Sequence, residues 1–259
     1  TLKKLNRSEE ALASYDKAIA LKPDYVVAFN NRGNALLGLD RLDEALASFE
    51  RAIALKPDYA EAFNNRGKAL LDLNRLDEAL ASFERAIALK PDYAEAFNNL
   101  GNALLELNRL GEALTSYDKA IVLNPDNANF LYNLGTVLFE FNRLEEALTS
   151  YDKAIALNPY YADAFNNRGN ALLELNRLDD SLASFERAIT LNPDDADAFN
   201  NRGNALLGLD RLDEALASYD KTIALNPDHA EASINRGNAL EKLNRQEEAL
   251  ASFERALAL

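Results

Sequence analysis

Hydrophobic and polar residues follow a helical period along the chain, in stretches that come in pairs. The first stretch of one such pair, residues 26–39, confines its apolar side chains to one arc of a helix with about 3.6 residues per turn. The second stretch, residues 42–55, does the same. The apolar positions of the two stretches are Ala28, Phe29, Gly33, Ala35, Leu36 and Leu39, then Leu42, Ala45, Leu46, Phe49, Ala52, Ile53 and Leu55. The pattern predicts two amphipathic helices with a tight turn between them.

The pair of helices recurs with a period of 34 residues along the chain. Proline marks the period, because it stands once per repeat after the second helix and cannot continue that helix. The seven prolines are Pro23, Pro57, Pro91, Pro125, Pro159, Pro193 and Pro227, and no other proline is present. A fixed spacing of this kind indicates a repeat architecture.

We therefore predict one array of repeats over residues 1–259 rather than several domains. The full repeats are 26–59, 60–93, 94–127, 128–161, 162–195 and 196–229. Residues 1–25 supply a partial repeat, and residues 230–259 supply a truncated last repeat.

Two kinds of turn separate the predicted helices. Within each repeat the turn carries Asn or Asp, the non-glycine residues that best tolerate a left-handed backbone. These turn residues are Asp40, Asn74, Asn108, Asn142, Asn176, Asp210 and Asn244. Between repeats, Asp58 and Glu61 have the spacing of a capping box, so we expect them to cap the next first helix.

A glycine stands inside every first helix from residue 26 onward, although glycine there costs about 1 kcal/mol relative to alanine. These glycines are Gly33, Gly67, Gly101, Gly135, Gly169, Gly203 and Gly237. We predict that an aromatic ring of the second helix, from the series that begins Phe49, Phe83 and Tyr117, fills the space left by the missing Cβ. Because one helix pair cannot bury both of its apolar faces, neighbouring repeats must stack, which predicts an all-α fold.

Phe29, Gly33, Ala45, Phe49 and Pro57, with their counterparts in the other repeats, match the 34-residue pattern of the tetratricopeptide repeat. The chain resembles that family over essentially its whole length. It departs from the pattern where Phe replaces the usual Trp, where Leu36 replaces Tyr, and where Arg32 precedes the glycine instead of Leu. The resemblance implies a right-handed superhelical solenoid of antiparallel helix pairs.

The net charge of −14 narrows the class of partner. Nucleic acid and anionic membranes are disfavoured, because phosphate binding needs a basic face. A protein or peptide partner is expected instead. The chain has no Cys, and it contains neither a zinc spacing nor a phosphate-binding glycine loop. We therefore expect no metal, no cofactor and no catalytic residue. The compartment stays open, with the cytoplasm as the default.

Asparagine dominates the polar arc of the first helices, although Asn is a mediocre helix former. The central series comprises Asn31, Asn65, Asn99, Asn133, Asn167, Asn201 and Asn235. A preceding series comprises Asn30, Asn64, Asn98, Asn166 and Asn200, and a following series comprises Asn34, Asn102, Asn170 and Asn204. A side-chain amide offers two donor hydrogens and an acceptor. Stacked amides therefore suit hydrogen bonding to the backbone of an extended peptide.

The family resemblance adds to this hypothesis. It implies that the first helices line a concave face, and the Asn31 series resembles the asparagine ladder of O-linked N-acetylglucosamine transferase scaffolds, which grips peptide backbone. The alternative is that the amides bridge adjacent repeats, or were copied by duplication, since repeats 26–59 and 60–93 differ at five positions.

Apolar and acidic residues accompany the amides. The apolar stripe of Leu37, Leu71, Leu105, Phe139, Leu173 and Leu207 is either the floor of a groove or part of the core. The acidic residues are Glu61, Asp72, Glu95, Glu106, Glu140, Asp163, Glu174 and Asp197. An acidic groove favours ligands that carry Lys or Arg.

Two features of the first helices have open interpretations. Arginine falls within the apolar arc at Arg32, Arg66, Arg168, Arg202 and Arg236. Such a residue either packs its stem and pairs with a carboxylate on another helix or contacts a ligand. The repeat 128–161 carries unusual aromatic residues, and its Tyr132 is a candidate for a specificity pocket. The alternative is sequence drift.

A protein-interaction scaffold that binds a peptide in its groove is the function that the sequence favours. Two alternatives remain. The chain is the substrate-docking part of a larger enzyme such as a glycosyltransferase, or it is a structural array that associates end to end through exposed apolar faces.

Overall fold

The computed structural model describes residues 2–259, with side chains from Arg7 onward, and this described part contains fifteen α-helices and no strand. The first helices of the repeats are α2 (Val26–Leu37), α4 (Ala60–Asp72), α6 (Ala94–Glu106), α8 (Ala128–Glu140), α10 (Ala162–Glu174), α12 (Ala196–Gly208) and α14 (Ala230–Lys242). The second helices are α1 (Leu2–Leu21), α3 (Leu42–Leu55), α5 (Leu76–Leu89), α7 (Leu110–Leu123), α9 (Leu144–Leu157), α11 (Leu178–Leu191), α13 (Leu212–Leu225) and α15 (Gln246–Leu257). The predicted all-α fold is confirmed.

The chain divides into two compact units, Thr1–Asp126 and Asn127–Leu259. Within each unit, every second helix from α3 onward packs against the first helix of its own repeat, and second helices also pack against the first helix of the next repeat in that unit. First helices of adjacent repeats also contact each other, as α2, α4 and α6 do in the first unit and α8, α10, α12 and α14 do in the second. In each unit, the first helices therefore lie side by side and form a continuous surface.

The predicted contact between glycine and an aromatic ring is confirmed. A Cβ atom built on Gly33 would lie 2.4 Å from the ring of Phe49, and one on Gly101 would lie 2.6 Å from the ring of Tyr117. Real Cβ atoms do not approach other atoms so closely, and both rings are fully buried. The glycine in each first helix thus lets the aromatic ring of the second helix reach the helix backbone.

The turns inside the repeats also agree with the prediction. All seven Asn and Asp residues at this position have a positive φ, between 55° and 60°. The turn shortens the first helix slightly, since α2 ends at Leu37 rather than at the expected residue 39.

The predicted capping box is wrong. The N-cap residue of α4 is Tyr59 rather than Asp58, and it makes no side-chain cap hydrogen bond. Side-chain caps are present in the second unit instead, where Asn127, Asp195 and His229 accept hydrogen bonds from the first turns of α8, α12 and α14. The helix start lies one residue later than the Asp-x-x-Glu spacing implies.

None of the helices in the described part combines the length and apolar character that crossing a membrane requires.

Candidate functional site

The first helices place the Asn31 series along the surface where they adjoin. These asparagines fall once per first helix, at intervals of 34 residues, and each is half-buried. In each unit, we call the surface formed by its own first helices around this series the amide face. Because first helices of adjacent repeats contact each other, successive asparagines within a unit come from neighbouring helices.

Hydrogen bonds connect the amides of adjacent repeats. In the first unit, the Nδ2 atom of Asn65 donates to Oδ1 of Asn30 at 3.0 Å, and Nδ2 of Asn99 donates to Oδ1 of Asn64 at 3.0 Å. In the second unit, Asn201 donates in the same way to Asn166 at 3.3 Å. The inter-repeat bridging that the sequence left as an alternative is therefore present.

The last bridge of the second unit involves more side chains than the others. Nδ2 of Asn235 donates to Oδ1 of Asn200 at 3.2 Å and also lies 3.0 Å from Oδ1 of Asn204. The carboxylate of Glu231 accepts from Nδ2 of Asn200 at 3.2 Å. This end of the amide face is thus a connected network of amides and a carboxylate.

The Asn30 series lies deeper than the polar arc of a single helix suggests. The exposed fraction is 5% for Asn30, 4% for Asn64, 8% for Asn98 and 2% for Asn200, whereas Asn166 is half-buried. In most repeats this series therefore supports the amide face from beneath, whereas the Asn31 series is the one that meets solvent.

The Asn34 series follows the identity of the aromatic residue on the second helix. Where that residue is Tyr, its hydroxyl donates to the asparagine, from Tyr117 to Asn102 at 2.8 Å and from Tyr219 to Asn204 at 2.9 Å. Where that residue is Phe, as in the repeat of Asn34, the ring has no hydroxyl to donate. Burial raises the pKa of both tyrosines, which keeps their hydroxyls protonated as donors.

Tyr132 occupies the position of the Asn30 series in its repeat and belongs to an aromatic cluster. Its ring centroid lies 4.9 Å from that of Tyr161 and 6.1 Å from that of Tyr151. Its hydroxyl accepts a hydrogen bond from Nδ2 of Asn167 at 3.0 Å, so a phenol replaces an amide in the bridge between repeats. Burial raises the pKa of Tyr132, with the nearby charge of Asp163 acting in the same direction.

The arginines of the first helices pair with other helices. Nε of Arg168 lies 2.6 Å from Oδ1 of Asp152 on the preceding second helix, and Nη1 donates to Oγ of Ser184 on the following second helix. Arg32 and Arg236 make the same two kinds of contact. The pairing account of the arginine series is confirmed.

The partner of the arginine changes with the sequence of the preceding helix. With Asp the N–O distance is 2.6 to 2.7 Å, whereas Arg66 lies 3.5 Å from Glu50 and Arg202 lies 3.8 Å from Glu186. Arg66 and Arg202 retain their hydrogen bonds to the serine of the second helix, Ser82 and Ser218. These guanidinium groups thus tie three helices together.

The acidic residues beside the amides face solvent. All eight, from Glu61 to Asp197, are exposed, whereas the apolar stripe that begins at Leu37 is half-buried. Leu37, Leu173 and Leu207 pack against the core clusters of their units, so the stripe belongs at least partly to the core. Burial, reinforced by the charges of Glu61 and Glu95, raises the pKa of Tyr93 to about 12.

His229 has a structural role that the sequence did not reveal. Its Nδ1 atom accepts from the backbone N–H of Ala232 at 3.1 Å, and its Nε2 atom lies 3.1 Å from Oδ1 of Asp197. It is thus the N-cap residue of α14 and contacts the acidic residue at the start of α12.

Within the described residues, no group of three or more His, Cys, Asp or Glu side chains is arranged to hold a metal ion.

Stacked helix hairpins, a glycine–aromatic contact in each full repeat and a surface of adjoining first helices define a helical repeat protein. The tetratricopeptide repeat model matches residues 30–94, 64–128, 98–162, 166–225 and 201–259, and a second model of the TPR repeat matches residues 1–40. The chain belongs to the tetratricopeptide repeat family. Proteins of this family are generally non-enzymatic scaffolds that bind proteins or peptides.

Solved structures share the fold. YrrB, described as a TPR protein with an unusual peptide-binding site, is 30% identical, with a TM-score of 0.59 over 71% of this chain and 95% of its own. A chain of the APC/C hetero-tetramer Cut9–Hcn1 is 18% identical, with a TM-score of 0.80 over 90% of this chain and 46% of its own, so the present chain spans less than half of it. A tetratricopeptide repeat protein from Parabacteroides merdae is 19% identical, with a TM-score of 0.69 over 90% of this chain and 92% of its own. No curated protein sequence matches the chain significantly.

Proposed function

We propose that the chain is a protein-interaction scaffold that binds an extended peptide segment along its amide face. The observation that carries the proposal is the Asn31 series, which presents one half-exposed amide per first helix along a surface where those helices adjoin. Seven repetitions of a mediocre helix former at one position call for a role beyond helix formation.

The bridging bonds leave capacity for a ligand. The bridge from Asn99 to Asn64 uses one N–H hydrogen of the exposed amide. A primary amide has a second N–H hydrogen and a carbonyl oxygen with two lone pairs. The bridge also fixes the side-chain rotamer, which reduces the entropy that a bound peptide would have to remove. Bridging and peptide binding are therefore compatible, and the first prepares the second.

Charge favours a basic peptide. The eight acidic residues beside the amides are exposed, and the chain carries a net charge of −14. Complementary charge across an interface speeds association and disfavours acidic competitors. YrrB, whose solved structure is described as having a peptide-binding site, provides a precedent for a peptide ligand in the family.

The proposal is tested on the second unit by replacing Asn133, Asn167 and Asn201 together by Ala. We expect the helical circular dichroism spectrum to be retained and the capture of peptides from a random library to fall at least about tenfold, since each lost hydrogen bond contributes about 0.5–1.5 kcal/mol. The matched control replaces Thr115, Thr149 and Thr190 by Ala.

The three threonines of the control are exposed on second helices, and their hydroxyls bond only to backbone oxygens four residues earlier. The control variant therefore changes the same number of side chains as the asparagine variant, and all of them lie outside the amide face. Equal capture by the wild type and the asparagine variant would contradict the proposal. Sequencing of the captured peptides tests the charge argument separately, since we expect enrichment in Lys and Arg.

Self-association is a second candidate that one observation favours. On the last helix, Leu250 is 58% exposed and Leu257 is 87% exposed. A protein that associates through this face would change its sedimentation coefficient with concentration, and Leu250→Glu would abolish that change. The remaining alternative is a docking segment of a larger enzyme. Such a segment would use the same amide face, so the sequence of the complete gene distinguishes it from the proposed scaffold.

A further inference from the structure

In the first unit, each tyrosine at the N-cap position of a first helix has a lysine over its ring. The lysine comes three residues earlier in the chain. The distances from Nζ to the ring centroid are 5.6 Å for Lys22 and Tyr25, 5.1 Å for Lys56 and Tyr59, and 4.5 Å for Lys90 and Tyr93. An ammonium group within about 6 Å of an aromatic centroid is attracted by the negative face of the ring. The N-cap tyrosine of this repeat is therefore a ring that takes a cation.

Tyr161, the N-cap residue of α10 in the second unit, has the same backbone conformation but no such lysine. Its φ and ψ are −85° and 86°, and those of Tyr93 are −88° and 83°. The residue three positions earlier is Asn158, whose φ of −133° is close to the −138° of Lys90. Oδ1 of Asn158 accepts from the backbone N–H of Tyr160 at 3.2 Å, so this uncharged side chain stabilises the turn. Tyr161 thus lacks the cation that the chain itself supplies in the first unit.

A second aromatic ring lies beside Tyr161. The centroid of Tyr132 on α8 is 4.9 Å from that of Tyr161, with an angle of 37° between the ring planes. In the first unit, the residue at this position before Tyr93 is Asn64, which has no ring. Both tyrosines are half-buried, and Nδ2 of Asn167 donates to the hydroxyl of Tyr132 at 3.0 Å. Two adjoining rings therefore reach the surface next to an amide of the Asn31 series.

A carboxylate accompanies the two rings. Asp163 is exposed in the first turn of α10, two residues after Tyr161. Burial raises the pKa of Tyr132 and that of Tyr161, and the charge of Asp163 acts in the same direction on both. The carboxylate therefore lies near both phenols. A negative charge at this place attracts a cation towards the rings and disfavours an anion.

We propose that Tyr132, Tyr161 and Asp163 form a subsite of the amide face that binds the ammonium group of a lysine side chain from the bound peptide. The lysine of the peptide takes the place over Tyr161 that Lys90 holds over Tyr93 in the first unit. This inference rests on the proposed peptide binding and names a side chain that the peptide carries. Lysine is the expected residue because the three lysines of the first unit place an ammonium group over the equivalent ring.

The test uses two nonapeptides of glycine and serine, one with lysine and one with Nε-acetyl-lysine at the centre. Acetylation removes the charge and keeps the aliphatic stem. Each peptide is added to the full chain labelled with 13C in its tyrosine rings, and the ring signals are assigned from the Tyr132→Phe and Tyr161→Phe proteins. The signals of Tyr132 and Tyr161 should shift saturably, and the lysine peptide should bind about fivefold more tightly than the acetylated one, from one cation–π contact and one exposed ion pair.

Two variants distinguish the subsite from general attraction to an acidic protein. Asn158→Lys restores the lysine of the first unit, so its own ammonium group should occupy the ring of Tyr161 and both peptides should bind equally. Asn192→Lys is the matched control, because it adds the same charge one repeat later, where the N-cap residue is Asp195 instead of tyrosine. Both asparagines are exposed. The Asn192→Lys protein should keep the fivefold preference for lysine.

Equal binding of the two peptides by the wild type, or an unshifted signal of Tyr161, would overturn the subsite. A preference for lysine that persists in the Asn158→Lys protein would also overturn it, because the cation would then bind elsewhere. Failure of the proposed function is seen in a different measurement, the capture of peptides from the random library by the asparagine variant. Loss of capture in that variant without a preference for lysine in the wild type would remove the subsite alone.

Discussion

At the scale of single residues, the backbone conformation of the turns decides which side chains are tolerated. A positive φ costs an ordinary residue about 1–2 kcal/mol, which Asn and Asp partly avoid and Gly avoids altogether. Asn108 has a φ of 56° and so occupies a conformation in which glycine is the preferred residue.

Asn108→Gly should therefore be more stable than Asn108→Ala by about 1 kcal/mol in urea unfolding. Asn124→Gly is the control, because Asn124 has a φ of −145° and gains nothing from glycine. A result in which Asn108→Ala and Asn108→Gly unfold at the same urea concentration would show that the turn does not impose the left-handed conformation.

Burial of a phenol at the start of α6 predicts a pH dependence. Burial, with the charges of Glu61 and Glu95, raises the pKa of Tyr93 from 10.0 to about 12. Between these values the folded protein holds a proton that the unfolded chain has released, so the free energy of unfolding falls as the pH rises from 10 towards 12. Below pH 10 this contribution is constant.

Tyr93→Phe removes this ionisation, so the free energy of unfolding of the variant should decrease less steeply as the pH rises. The measurement is urea unfolding of both proteins at several pH values from 8 to about 11.5, with the difference between them taken at each pH, since the other titrating groups cancel in that difference. A difference that does not change with pH would mean that Tyr93 titrates alike in the folded and unfolded chains.

At the scale of helices, each hairpin is closed by the contact between a glycine and an aromatic ring. Gly101→Ala would place a Cβ 2.6 Å from the buried ring of Tyr117. Overpacking of this kind costs about 1–3 kcal/mol, more than the roughly 1 kcal/mol that alanine gains over glycine in a helix. We expect Gly101→Ala to lower the free energy of unfolding.

Gly111→Ala is the matched control for this prediction. Gly111 stands in the next helix, and a Cβ built there meets no other atom within 4 Å. The same substitution should therefore raise the free energy of unfolding by about 0.5–1 kcal/mol. Opposite signs for the two substitutions support the contact, whereas stabilisation by both would contradict it.

The repeats were largely predictable at this scale, because period, glycine contact and turn residue each depend on one helix pair. Among features that involve the next repeat, amide bridging and arginine pairing were foreseen only as alternatives, and the burial of Asn30 was not foreseen. Asn30 lies on the polar arc of its own helix, but the neighbouring first helix and the amide of Asn65 cover it. A helical wheel describes one helix and omits its neighbour.

The residue that caps the first helices was also missed for a physical reason. The spacing of Asp58 and Glu61 fits a capping box, but the backbone enters the helix one residue later, at Tyr59, where an aromatic residue stands. Similarly, the cap formed by His229 requires its ring to face Ala232 and Asp197 at once, and spacing alone does not give such an orientation.

At the scale of the whole molecule, the repeats distribute one chemical group along a surface. Within each unit the first helices adjoin, the Asn31 series crosses them, and exposed carboxylates accompany it. Each amide alone is a weak site, but several amides that act on one extended segment add their contributions without paying again for the loss of translational freedom. Binding is therefore expected to depend on peptide length.

The central claim is that these amides contact the ligand. The most direct measurement labels the asparagine side chains with 15N and follows their NH2 signals while a library-selected peptide is added. The signals of Asn133, Asn167 and Asn201 in the second unit should shift, whereas those of the turn residues Asn142 and Asn176, which lie in the exposed turns after α8 and α10, should not. Saturable peptide binding that leaves the Asn31 series unshifted would contradict the account.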